Sequence, residues 1–310
     1  MIDLFVSGFN EQLPDYPGGL WLLRDGRLSA IHRGRGVFGL AWWTPHQLIL
    51  GAARTDDVPF VAFTRTPAGG FDPMAIVYRD YIPARRAHGI AIAGDTLFVA
   101  AAQGHPGAPM ATNDDFANHY ISTVILSTIA MADGRLVIGD SRVWNPYGCD
   151  HHHHYNDLLV DDRHIYLSSF TTCDAIGGYD GRGAVTRFNR DFSDRTILTQ
   201  SLVSPHSLQI VDGRLYVCSS TTSSVMSVPL DARDAAARLE FKTINNFLRG
   251  LWMDDDRMWI GLSRSAGRTN SAHLTDAMNG ILEFNRRTGA TTRIEMPEDC
   301  DNLYTIVGAR

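Results

Sequence analysis

One short phrase recurs along the chain and limits what it can fold into. Ser204-Pro-His-Ser-Leu-Gln-Ile-Val-Asp-Gly-Arg-Leu-Tyr-Val-Cys-Ser219 reads as a strand opening on a polar residue, a tight Asp-Gly turn and a second, apolar strand. Val37-Phe-Gly-Leu leads in the same way to Leu48-Ile-Leu-Gly, and Ala87-His-Gly-Ile leads to Leu97-Phe-Val-Ala. Tyr155-Asn-Asp-Leu leads to Ile165-Tyr-Leu-Ser, and Leu248-Arg-Gly-Leu to Met258-Trp-Ile-Gly. A sixth copy is divided between distant parts of the sequence, with Cys300-Asp-Asn-Leu as its first strand and Leu4-Phe-Val-Ser as its second. The aliphatic residue of the phrase falls at 40, 90, 158, 208, 251 and 303, at intervals of 50, 68, 50, 43 and 52. Self-similarity at that period belongs to arrays, solenoids and propellers.

Two further strand-like runs lie between copies, such as Ser224-Val-Met-Ser-Val and Leu239-Glu-Phe-Lys-Thr, each bounded by Gly, Asp, Asn or Pro. Four short strands per repeat predict an all-β fold, a six-bladed β-propeller forming a single domain over residues 1–310. A strand at about 302–308 is expected to join three N-terminal strands in one blade, closing the ring and removing its free sheet edges. The one expected helical turn is Asp231–Ala237.

With 44% hydrophobic and 20% charged residues, the chain has ample material for a core. A net charge of −6 argues against nucleic acid as a partner. No apolar run approaches the 18 or so residues that span a bilayer, so no membrane partner is expected. The first residues lack the basic and apolar regions of a signal peptide, and the four cysteines are scattered. A cytoplasmic location is therefore expected.

In a propeller each first strand lines the channel and opens at one mouth, where the long insertions 102–119, 144–155, 170–183 and 263–279 also gather. The residues two before the aliphatic position are Phe38, His88, Asn156, His206, Arg249 and Asp301. Five of these six are polar, and buried polar groups need partners: each other, in a plug, or a ligand, in a site. His88, His154, Asn156 and His206 offer mixed nitrogen and oxygen donors that suit zinc, manganese or iron better than calcium. Arg249 would repel a cation and fits a clamp on a carboxylate or other anion, so His88, Arg249 and Asp301 are the candidate catalytic groups. In the run His151-His-His-His154, extended backbone sends His152 and His154 one way and His151 and His153 the other. His105, His119, His152, Asn270 and His273 lie on loops of the same mouth and are candidate substrate contacts, with a small-molecule substrate as the partner. Tyr120, Tyr155 and Tyr179 are possible phenolic acid/base groups, although most tyrosines serve packing. No nucleophile elbow, phosphate-binding loop, dinucleotide fingerprint or HExxH motif is present.

These phrases resemble the six-bladed propellers of the paraoxonase, gluconolactonase and strictosidine synthase group. Ala87-His88-Gly looks like their Pro-His-Gly segment, which implies His88 as a base, and Asn156-Asp157-Leu looks like their Asn-Asp-Ile calcium-binding segment. Phe38 stands where that group has a glutamate ligand and Arg249 where it has an aspartate, so the resemblance does not carry calcium across. Ser204-Pro-His-Ser-Leu and Phe247-Leu-Arg-Gly-Leu are closer to bacterial propellers of unknown function. The expectation is an enzyme acting on a small polar or anionic molecule at a histidine-rich mouth. Metal-assisted hydrolysis of a lactone or ester, or a lyase or isomerase step, would suit it. Two alternatives stay open: a non-catalytic propeller binding on its loop face, and a metal-free enzyme like strictosidine synthase that uses His88 and Asp301.

Overall fold

The computed structural model describes residues 2–10, 17–53, 60–79, 87–104, 120–148, 153–171, 183–263, 279–298 and 300–309. Its strands are β1 (Leu4–Phe9), β2 (Pro17–Arg24), β3 (Arg27–Arg35), β4 (Val37–Trp43), β5 (Leu48–Ala53), β6 (Phe60–Arg65), β7 (Phe71–Met74) and β8 (Ile76–Tyr78). Next come β9 (Ile90–Ala93), β10 (Thr96–Gly104), β11 (Tyr120–Ala132), β12 (Arg135–Trp144), β13 (Tyr155–Val160), β14 (His164–Ser169), β15 (Gly183–Asn189) and β16 (Arg195–Leu202). The rest are β17 (Pro205–Val211), β18 (Arg214–Ser219), β19 (Ser224–Pro229), β20 (Arg238–Lys242), β21 (Phe247–Met253), β22 (Arg257–Ser263), β23 (Gly280–Asn285), β24 (Thr291–Glu295) and β25 (Asn302–Gly308).

They form six sheets, the blades of a six-bladed β-propeller. Blade 1 runs β25-β1-β2-β3, and blades 2 to 6 begin at β4, β9, β13, β17 and β21. The expected closure by the 302–308 strand is present: β25 pairs antiparallel with β1. Blade 3 departs from four strands, because β8 lies parallel along the outer edge of β12. The chain leaving blade 2 thereby supplies partners to an edge that would otherwise be open.

The sequence explains the blades. Second strands such as β1 and β5 are buried at every position, and their predominantly apolar runs follow from contact with neighbours on both faces. Asp25-Gly26, Asp133-Gly134 and Asp212-Gly213 all have positive φ at both residues, the geometry of two-residue hairpin turns whose twist matches the strands. Six apolar clusters fill the six gaps between neighbouring blades, including the one joining Leu4, Val6 and Trp21 to Trp252, Trp259 and Ile281 across the closure. Cys218 is a fully buried core residue, as expected. Asp231–Ala237 forms turns and bends instead of a helix. The N–H groups of Asp234 and Ala235 donate to Ile197 O and Leu198 O (2.8 and 2.9 Å), so the segment hydrogen-bonds to β16 and not to itself.

Hydrogen bonds also lace blade to blade near the axis. Ser220 Oγ donates to Leu248 O (2.6 Å), and Ser263 Oγ donates to Leu303 O (2.8 Å). Gly250 N–H donates to Ser207 Oγ (2.7 Å). Asp157, partly buried on blade 4, accepts from its neighbour Leu158 N–H (3.0 Å) and from Leu208 N–H of blade 5 (2.8 Å). Burial raises the Asp157 carboxyl to about 7, against the lowering effect of those two donors. Gly89 of blade 3 lies so close that a Cβ there would meet Asp157 Oδ1 at 2.5 Å and Asp157 Cα at 2.6 Å.

Every inner strand carries a β-bulge at the recurring phrase. Registers slip between Val37 and Leu40, between Tyr155 and Asp157, between His206 and Leu208, and between Leu248 and Leu251. In blade 3 the N–H of His88 donates to Ala100 O, Ala100 N–H donates to Gly89 O, and Ile90 pairs with Val99, so two residues oppose one. A bulge re-aims a side chain that regular alternation would send elsewhere.

Blade 1 corrects the sixth copy of the phrase. Ser7 pairs with Thr305 and Gly8 with Leu303, which makes Tyr304 the extra residue. The structural counterpart of His88-Gly-Ile is therefore Tyr304-Thr-Ile306, three residues beyond the expected Asp301-Asn-Leu303.

Candidate functional site

The six bulges define a ring of side chains on the axis: Phe38, His88, Asn156, His206, Arg249 and Tyr304. Tyr304 is its hub. Its ring centroid lies 4.7 Å from Phe38, 5.9 Å from His88 and 6.4 Å from His206. The Arg249 guanidinium carbon sits 4.8 Å from the centroids of both Tyr304 and Phe247. The Tyr304 phenol is hydrogen-bonded to His88 Nδ1. Phe38 stacks on His88 with centroids 5.8 Å apart and planes 15° from parallel.

Burial divides these residues. Phe38, Asn156, His206, Arg249 and Tyr304 are buried, whereas His88 is partly exposed. Asn156 donates from Nδ2 to His154 O (3.3 Å) and Pro205 O (3.2 Å), while its buried Oδ1 has no hydrogen-bond partner among the described residues. An unsatisfied acceptor at a propeller axis is a place for a ligand's donor or a water. His206 Nδ1 is within 2.9 Å of both Ser204 O and Ser220 Oγ, which fixes its ring. Asp301 is buried three residues before Tyr304, and its Oδ1 accepts from Asn302 Nδ2 (2.9 Å).

The two described histidines of the run face different ways, with His154 in the left-handed region at φ +50°. His153 is 1% exposed, edge-on to Tyr147 at 4.8 Å, with Nδ1 3.3 Å from Thr171 Oγ1. His154, held at φ +50° with its N–H on Ser122 Oγ (2.9 Å), faces the axis. Its ring centroid is 5.0 Å from His88, and it stacks on Phe170 at 4.4 Å with planes 4° apart. His105, His119, His152, Asn270 and His273 fall outside the described residues, as do the side chains of Tyr120 and Tyr179. Tyr155 is buried, and desolvation pushes its phenol well above the ordinary value, which leaves it a packing residue at neutral pH.

Among the described residues no group of three or more His, Cys, Asp or Glu side chains is placed to hold an ion. Phe170 touches both His154 and His206, at 4.4 and 5.5 Å, and its ring occupies the region between those imidazoles. Nδ1 of His88 and of His206 already make hydrogen bonds. Tyr304, Phe170 and Phe247 escaped the sequence reasoning. Only Tyr304 had a signal, because Tyr304-Thr-Ile306 also fits the polar–small–aliphatic phrase.

An open crevice of about 550 Å3 lies elsewhere, between β24 and the β2–β3 turn, lined by Leu28, Glu283, Arg293 and Met296 among others. It contains no residue of the axial ring. Among the described residues no helix is long and apolar enough to cross a membrane.

In sequence, no protein family and no curated protein matches the chain. Solved structures match its fold. A chain of a nidogen/laminin complex superposes with a TM-score of 0.67 at 12% identity, over 100% of this chain and 99% of that one. A putative 6-phosphogluconolactonase from Bacteroides fragilis gives 0.59 at 10% identity, over 100% and 98%. The periplasmic gluconolactonase of Pseudomonas aeruginosa gives 0.52 at 10% identity, over 95% and 82%. At these identities the likeness is one of fold: the chain is similar to the propellers of lactonases and of a protein–protein complex alike.

Proposed function

We propose that the protein is a hydrolase of lactone or ester bonds working at the axial mouth, with His88 as its acid/base group. The observation that supports this reading is the His88–Tyr304 pair, a partly exposed imidazole whose Nδ1 is engaged by a buried phenol. In the tautomer that donates Nδ1–H to the Tyr304 phenol oxygen, the lone pair lies on Nε2, which can then accept and return a proton. In the reaction, Nε2 takes a proton from water as its oxygen attacks the carbonyl carbon. The Arg249 charge stabilises the resulting oxyanion. Cleavage of the C–O bond then returns the proton from Nε2 to the departing alkoxide, leaving a carboxylic acid that ionises. The lactonase neighbours are consistent with this chemistry.

The test is a panel of esters and lactones assayed with wild type, His88→Ala and Tyr304→Phe, alongside circular dichroism and thermal melting. Turnover lost in His88→Ala with melting unchanged supports the reading. Undiminished turnover in that variant refutes it. The second reading, a propeller that binds a partner on its loop face without turnover, draws on the fold's likeness to a chain of a nidogen/laminin complex. It predicts that binding survives His88→Ala and is lost when residues 105–119 or 264–278 are deleted.

A further inference from the structure

We infer that the protein pairs with a second copy of itself, strand to strand, through β20 on the outer edge of blade 5. The outermost strand of a sheet offers a row of backbone donors and acceptors to any extended chain that meets it. Among the described residues, the other five edges are blunted or mismatched. Blade 3 covers β12 with β8. In blade 4, β16 accepts the N–H groups of Asp234 and Ala235 on Ile197 O and Leu198 O. In blade 2, β7 is four residues long and contains Pro73, which has no N–H to give. In blade 1, β3 displays exposed Arg27 and Arg35, so two such strands would bring like charges together. On β24 of blade 6 the one aliphatic side chain, Ile294, packs against the core between blades 6 and 1.

The edge of blade 5 differs. Leu239 on β20 is 54% exposed and Ile244, just beyond the strand, is 80% exposed; no other large apolar side chain among the described residues is as exposed as these two. The charges select the partner. Arg238 and Glu240 share one face, since Arg238 Nε and Nη2 donate to Glu240 Oε1 and Oε2 (2.7 and 3.0 Å). Let two copies of β20 run antiparallel about a two-fold axis through residue 239. Each Arg238 then stands opposite Glu240 of the second copy, and each Leu239 meets its own counterpart. One face carries a row of alternating charge and the axis is apolar, both favourable cross-strand arrangements. Other registers lose this match. An axis through Glu240 sets carboxylate against carboxylate, and one through Phe241 sets Arg238 against the apolar Ile244. A strand whose best complement is its own sequence selects a second copy over an unrelated peptide. In the sheet order β17-β18-β19-β20 the pairing strand is farthest from the axis, so the axial residues take no part.

A single strand pair is a small interface, and its association should be weak and reversible. Sedimentation equilibrium from about 1 μM to about 1 mM covers the span in which such an interface assembles. The average mass of wild type should rise toward twice that of one chain. Leu239→Lys, a change at an exposed position, should raise the dissociation constant at least about tenfold with melting unchanged. Cysteine substitutions read the register, and they decide the matter even where the lysine variant folds poorly. Under mild oxidation Leu239→Cys should form a disulfide-linked dimer, because only a residue on the two-fold axis faces its own copy. Arg238→Cys alone should not, whereas Arg238→Cys mixed with Glu240→Cys should. Wild type, with its four native cysteines, sets the background. A monomer at every concentration overturns the inference. So does a dimer that Leu239→Lys leaves intact, or crosslinking no stronger in Leu239→Cys than in Arg238→Cys.

Discussion

Asp157 joins blades 4 and 5, and replacing it by asparagine should change how stability depends on pH. Its carboxyl is raised to about 7 in the folded protein, chiefly by burial, against an ordinary value near 4. The folded state therefore holds the proton more tightly than the unfolded chain does. Below about pH 4 the group is protonated in both states and burial costs it no charge. As pH rises through the interval to about 7, the unfolded chain ionises freely while the folded one resists, and stability falls. A gap of about three pH units at about 1.36 kcal/mol each makes the loss about 4 kcal/mol, complete above about pH 7. The substituted asparagine cannot ionise. It keeps one acceptor for the Leu158 and Leu208 N–H groups and loses the other, at about 1–3 kcal/mol independent of pH. In urea unfolding at half-unit steps from about pH 4.5 to 8, wild-type stability minus Asp157→Asn stability should fall by about 3–4 kcal/mol, with unchanged m-values. Wild type should lead at the acid end, and the variant should draw level or overtake near about pH 8. A difference constant to within about 0.5 kcal/mol across the range would refute the argument, since it would mean that Asp157 titrates alike in both states.

Three further outcomes are expected. Gly89→Ala places a Cβ against Asp157 Oδ1 and Cα at 2.5 and 2.6 Å, so blades 3 and 4 must part; thermal melting should show a loss of about 3 kcal/mol or more. Ser263→Ala leaves Leu303 O without its 2.8 Å donor in a fully buried setting, for a loss of about 1–3 kcal/mol by urea titration. Deleting residues 302–309 strips β1 of a partner strand and the core of Leu303, Tyr304 and Ile306, each worth about 2–5 kcal/mol when truncated. Gel filtration should then find aggregate in place of folded protein.

The ring of blades was legible because each blade repeats one physical problem: a doubly buried second strand needs a predominantly apolar run, and a hairpin needs Asp-Gly where φ turns positive. The sixth ring position was misread because two stretches, Asp301-Asn-Leu303 and Tyr304-Thr-Ile306, fit one loose template. Only the pairing of Ser7 with Thr305 and Gly8 with Leu303 decides between them, and that pairing spans nearly the whole chain. Phe170 likewise shows its role only when folding brings it between His154 and His206. The strand β8 was hidden because three residues carry no period, and its partner β12 lies some sixty positions downstream.

The His88–Tyr304 contact joins residues 216 positions apart in sequence. At roughly 5–20 residues per second, a ribosome adds Tyr304 some 10–40 s after His88. Throughout that interval the imidazole has no phenol beside it, Arg249 has one ring of its two, and β1 waits for its inner neighbour. In the proposed hydrolase, chemical competence would thus be coupled to finishing the circle: a chain stalled after five blades, or one whose last strand has slipped register, carries the histidine without the phenol that bonds it. Under that reading the seam that completes the architecture would also serve as its quality check.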